Sequence, residues 1–288
     1  MKKAIALLAL VVLPTWAIMP AHMNKVDTAK NEAMNEIRQK LDGIKEYRTD
    51  PTKWAFVIAA EDYDETDDVA YSVESGKTFV ELAQKVLGVS ERRTYALIGE
   101  EATTGKIKNN LNKLLKFVQA GDTIYFYYSG HGIPDIETKE PYILPKDLDP
   151  SFVTDEPQLK LANIYKTLQE SNAAKVVAFI DSCFSGATDN KTLFKGVAAP
   201  RLVAKTIKID DTKMVVMTAG KDKQFSNMYA DKNMRLFSYY MMKSIIEGKD
   251  NVRDIYKDTR SNVETKSFEF GDQYFQSPTI DGNVDMRF

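Results

Sequence analysis

Five apolar residues, Val176 to Ile180, run without interruption into Asp181-Ser182-Cys183-Phe184-Ser185-Gly186. A short apolar run that stops at a turn signal reads as a strand covered on both faces, as in a parallel sheet. Cys183, the only cysteine of the chain, then falls at the carboxyl end of a buried strand, where open α/β sheets place their ligands. A second stretch repeats the design. Thr123 to Tyr128 is rich in β-formers and ends in Ser129-Gly130-His131-Gly132. One strand delivers the lone cysteine, and another delivers the only histidine beyond His22.

The order of the remaining segments supports an α/β fold with a mostly parallel sheet. Trp54 to Ala60 reads as a buried strand, followed by an acidic loop from Glu61 to Asp68. Residues 73–87 fit a helix, Arg93 to Ile98 a strand, and 104–118 an amphipathic helix that Thr104 is placed to cap. After the histidine come a short extended piece at Tyr142–Leu144 and a helix from Leu159 to Leu168. The cysteine strand follows. Alternating strands and helices define parallel pairs joined by crossover helices. Residues 186–212 are polar and weakly periodic, and contain Lys191, Lys195, Arg201, Lys205 and Lys208. A loop of that length is usually functional. Met214 to Thr218 is a further strand, helices are expected at about 234–247 and 251–266, and the tail reads as one more extended piece.

Composition decides the compartment and the class of partner. The chain of 288 residues has 39 basic and 41 acidic side chains, a formal net charge of −2. It lacks the basic excess of a nucleic-acid binder. Lys2 and Lys3, the apolar run Ala4–Leu13 and the small residues before Ile18 form a secretory signal, with cleavage expected after Ala17. The run is too short to span a bilayer, so the membrane is met only during export, to a periplasmic or secreted destination. Residues 18–51 carry an amphipathic helix over 24–47, either packed on the main domain or acting as a pro-segment. The main domain is 52–288. In an exported protein a single cysteine has no intramolecular partner. Flanked by Ser182, Ser185 and Gly186, Cys183 reads as a reactive thiol.

The two strand ends suit acyl transfer. A thiol attacks as thiolate, and a neighbouring imidazole takes its proton and returns it to the leaving amine. The backbone N–H groups of Gly132 and Cys183 are placed to form an oxyanion hole. Gly132 and Gly186 leave room for a substrate backbone. The separation, 183 − 131 = 52 residues, accommodates a loop, a crossover helix and a strand, so sequential and adjacent strands are expected.

The blocks Ser129-Gly130-His131-Gly132 and Asp181-Ser182-Cys183-Phe184-Ser185-Gly186 resemble the signatures of caspase-like cysteine peptidases, metacaspases and their bacterial relatives above all. The caspase histidine lies roughly 50 residues before the cysteine. The resemblance extends over about Trp54 to Pro278. It implies the caspase-hemoglobinase fold, with a mostly parallel six-stranded sheet between helices, and peptide-bond hydrolysis by a Cys183/His131 dyad. Protein or peptide is the implied partner, and the chemistry needs no cofactor. Asp181, two residues before the cysteine, would share its face and favour Arg or Lys at P1. Ser129 and Asp222 are further substrate contacts. Where metacaspases place a second acid after the first strand, Ser75-Gly76 stands with Glu74 beside it, so either Glu74 substitutes or the pocket is less acidic, with Asp222 lining it instead. The family's calcium site maps onto Asp147, Asp155, Glu156 and Asp189, whose oxygens suit that ion, as an activator. A catalytically silent domain that binds protein, and another thiol acyl-transfer enzyme such as a peptide ligase, are the alternatives.

Overall fold

The computed structural model describes residues 36–185, 193, 203–221 and 224–288. The signal segment, the first part of the expected 24–47 helix, Gly186, Asp189, Asp222 and most of the 186–212 loop lie outside the described residues.

Apolar runs become strands where expected. β1 (Lys53–Ala59), β2 (Thr94–Ile98), β3 (Thr123–Ser129), the short hairpin β4 (Gly132–Pro134) and β5 (Pro141–Ile143), β6 (Lys175–Asp181), β7 (Met214–Thr218), the small pair β8 (Met228–Tyr229) and β9 (Met234–Arg235), and β10 (Thr279–Gly282) follow in chain order. The helices are α1 (Glu36–Gly43), α2 (Ser72–Lys85), α3 (Thr104–Phe117), α4 (Leu161–Gln169), α5 (Leu236–Ile246) and α6 (Val252–Glu269). The six-stranded sheet has the order β10-β7-β6-β3-β1-β2, and only β10 is antiparallel to its neighbour. All seven residues of β3 are buried, as are six of seven in β1 and β6. This burial explains why these strands lack polar alternation.

Strand parity sorts the core into two layers. Phe56, Ile58, Phe126, Tyr128, Ala178 and Ile180 face α3 and α4, meeting Leu111, Leu114, Ile164 and Leu168. Ala55, Val57, Tyr125, Tyr127, Val177 and Phe179 face the other layer, meeting Ile37 and Leu41 of α1, Phe79 and Leu82 of α2, and Met241 and Ile245 of α5. Phe79 stacks on Tyr127 with centroids 4.5 Å apart. A Cβ at Gly76 would lie 2.5 Å from the Ala59 Cβ, so α2 needs glycine there to sit down on β1. α1 is held by Ile37 and Leu41, by the Arg38–Glu74 ion pair at 2.9 Å and by Lys85 Nζ donating to the Leu41 carbonyl at 3.1 Å.

The topology fixes where a ligand goes. From β1 the chain crosses by α2 to β2, then returns by α3 to β3 on the opposite side of β1. Strand order therefore reverses between β1 and β3, and the crevice beyond their carboxyl ends is the natural binding place. The loop after β1 and the His131 loop meet at that crevice, and β6 brings Cys183 to its edge. The register of β3 on β6 runs from Thr123 opposite Lys175 to Ser129 opposite Asp181. His131 and Cys183 each lie two residues beyond the last pair, so the expectation of adjacent strands holds.

Candidate active site

Backbone groups on both sides hold His131 in place. Its N–H donates to the Tyr63 hydroxyl at 2.8 Å, and its carbonyl accepts from the Leu144 N–H at 3.1 Å and from the Tyr128 hydroxyl. Gly130 makes this possible: its φ is +154° and a Cβ there would meet the Tyr63 oxygen at 2.5 Å. The imidazole packs on the Tyr63 ring, centroids 4.8 Å apart, and its Nε2 lies 2.7 Å from the Asp67 backbone carbonyl. A carbonyl only accepts, so Nε2 carries the proton and Nδ1 keeps its lone pair. The ring is 5% exposed. Burial, chiefly, lowers its pKa to about 4; the nearby Arg235 acts in the same direction, and the Asp67 carbonyl opposes it. The imidazole is neutral at pH 7.

Cys183 is a free, half-buried thiol. Together with His131 it lines a cleft of about 420 Å³, whose walls include Gly130, Ser226 and Arg235. A Cβ at Gly132 would meet the Phe184 ring at 2.4 Å and the Cys183 carbonyl at 2.7 Å. The two strand ends are thus in direct contact, and Gly132 permits it. The arrangement offers a thiol and a neutral imidazole lining one cleft.

Other expected site residues are placed elsewhere. Asp181 does not face the cleft. It is fully buried, and its carboxylate accepts from the Ser238 N–H at 3.0 Å, the Ser238 hydroxyl at 2.5 Å and the Ser226 hydroxyl, with Arg235 Nε at 3.9 Å. Parity explains this: Asp181 continues the Val177–Phe179 row toward α5, whereas Cys183 lies beyond the end of the strand and leaves that row. Ser129 follows the Tyr125–Tyr127 row in the same way. It is buried against the Ser72 hydroxyl at 2.9 Å and makes no part of the cleft wall. Glu74 is tied to Arg38 on α1 and supplies no second acid.

The three described calcium candidates, Asp147, Asp155 and Glu156, are engaged elsewhere or exposed. Asp147 accepts from the Thr104 N–H at 2.8 Å and hydroxyl at 3.0 Å, so it caps α3 in place of the expected Thr104. Glu156 pairs with Lys108 at 3.0 Å, and Asp155 is exposed. Among the described residues no group of three or more acids, histidines or cysteines is positioned to hold a metal. Asp147, Asp155 and Glu156 by themselves do not make a calcium site; Asp189 lies outside the described residues.

Two contributors escaped sequence reasoning. Tyr63 lies in the acidic loop after β1, at the switch point, where any hydroxyl is within reach of the site. Arg235 stands in Asn233-Met234-Arg235-Leu236-Phe237, and a cation set in an apolar run signals a buried charge that needs a carboxylate. Asp181, closing an apolar strand, is the complementary signal.

A mostly parallel sheet with a thiol and an imidazole at adjacent strand ends defines a cysteine-peptidase-like α/β protein. The caspase-domain family model matches residues 52–288, and the chain belongs to that family of cysteine peptidases. No curated protein matches the sequence. Among solved structures, protein GSU0716 from Geobacter sulfurreducens is similar at 17% identity, with a TM-score of 0.60 over 82% of this chain and 98% of that one. The Drosophila initiator caspase Dronc aligns at 12% identity and a TM-score of 0.48, over 82% of this chain and 81% of its own.

Proposed function

We propose that this protein is an exported cysteine endopeptidase in which Cys183 is the nucleophile and His131 the general base and acid. The observation that carries the proposal is the meeting of both side chains in one cleft, on strand ends of matched register. The Nε2–H held by the Asp67 carbonyl leaves Nδ1 to take the Cys183 proton. The thiolate attacks the scissile carbonyl carbon, and the N–H groups of Gly132 and Cys183 receive the oxyanion. The imidazolium then protonates the leaving amine as the C–N bond breaks. The neutral imidazole next deprotonates water, which hydrolyses the thioester and frees the thiol.

Hydrolysis of peptide reporters tests this. Wild-type protein should cleave at least one P1 series, and Cys183→Ala and His131→Ala should each abolish cleavage while remaining folded by circular dichroism. Folded wild-type protein that cleaves none would move the reading to a protein-binding domain. Export is tested separately: the mature protein should begin at Ile18 by N-terminal mass analysis. A preference for Arg or Lys at P1 would require Asp181 to be released from Arg235.

A further inference from the structure

One wall of the cleft shows a guanidinium and hides a carboxylate. Arg235 lines the cleft and its side chain is 10% exposed; Asp181 lies behind it with none. The Arg235 side chain is fixed from several directions. Nη2 donates to the Ser226 carbonyl and to its hydroxyl at 3.2 Å, and Nη1 to the Ala70 carbonyl at 3.4 Å. Its backbone N–H donates to the Ser75 hydroxyl at 2.9 Å. Ser226 bridges the pair, since its hydroxyl also donates to Asp181. Nε faces Asp181 at 3.9 Å and has no hydrogen-bond acceptor among the described residues.

We propose that Arg235 masks Asp181 and sets the selectivity of the cleft, so that it accepts a neutral P1 side chain with a carbonyl acceptor, Asn or Gln, and discriminates against Arg and Lys. A cationic side chain would lose water and meet a like charge. A carboxylate could pair with Arg235, but it would sit over the buried Asp181 charge that Arg235 already faces. A carboxamide offers the guanidinium an acceptor without adding charge. Asp68 and Asp231 are exposed and screened, so they steer more than they select. The inference rests on the peptide-binding part of the proposed function.

The test uses equilibrium binding, which needs no turnover. In Cys183→Ala protein, N-acetyl dipeptide amides ending in Gln, Arg or Glu are titrated by calorimetry. The Gln ligand should bind tightest. Adding Arg235→Ala should move the Arg-to-Gln affinity ratio toward Arg by roughly tenfold or more, the scale of a charge-assisted hydrogen bond. Because Arg235→Ala leaves a buried carboxylate without its cation, a second variant, Asp181→Asn with Arg235→Met, removes both charges together. It should stay folded and lose the ranking by charge. Tighter binding of Arg than Gln with Arg235 present, an unchanged ratio without it, or no binding of any ligand would overturn the inference. Binding in the expected order, with no hydrolysis by wild-type protein, would uphold it while removing the peptidase reading.

Discussion

Burial of His131 ties the site to pH in two ways. Its pKa in the folded protein is about 4, against 6.5 for a free histidine. The folded state resists protonation, so the associated stability is complete above pH 6.5 and is lost as pH falls through 4. At 1.36 kcal/mol per pKa unit, roughly 3 kcal/mol disappears across that window. Urea unfolding at pH 7 and pH 4 should show the loss, and His131→Gln should flatten it. The same depression should place the acid limb of kcat/KM well below 6.5; a limb at 6.5 would mean that the imidazole is solvated. Tyr63→Phe removes the acceptor of the His131 N–H. An unsatisfied buried donor costs about 1–3 kcal/mol, so the urea midpoint should drop and hydrolysis should slow. At this scale the meeting of His131 and Cys183 was legible because each stands two residues past the end of a long apolar strand. Asp181 was misread because the rule that residues two apart share a face holds only inside the strand, and Ser129, expected as a substrate contact, is buried in the same way. Each belongs to an inward row, and the next position in step lies past the strand's end.

At the scale of the element, capping and close packing make the predictions. Asp147 caps α3 from 43 residues away. Asp147→Ala should cost about 1 kcal/mol of stability, and the loss should be equal with calcium and with chelator. A loss seen only with calcium would restore the metal reading. Gly76→Val should force α2 away from β1. Overpacking of this kind typically costs about 1–3 kcal/mol, a fall of roughly 2–10 °C in Tm for a domain of this size. Strands and helices were readable from apolar runs, which need only local information. The α3 cap was not, because its partner arrives through tertiary folding. Most helix ends shifted by one or two residues, but α6 runs three residues further than expected and α1 stops four residues short.

The whole molecule depends on strand order, which periodicity does not encode. The alternation of elements implied a parallel sheet, but it did not give the position of β1 between β2 and β3. That order creates the crevice, brings Tyr63 and the Asp67 carbonyl onto His131, and leaves α1, α2, α5 and α6 on one face. The Arg235–Asp181 pair also belongs to this scale, joining the start of α5 to the end of β6.

The matched register of β3 and β6 has a further consequence for how the chain tolerates being cut. Hydrogen bonds between the strands, rather than the covalent path from residue 129 to residue 181, hold the two reactive groups at one level. A nick in the exposed turn at Ile136–Thr138 should therefore leave two fragments that remain one folded assembly. Such fragments, expressed separately, should complement each other, because the ladder that aligns them reforms wherever the two strands meet.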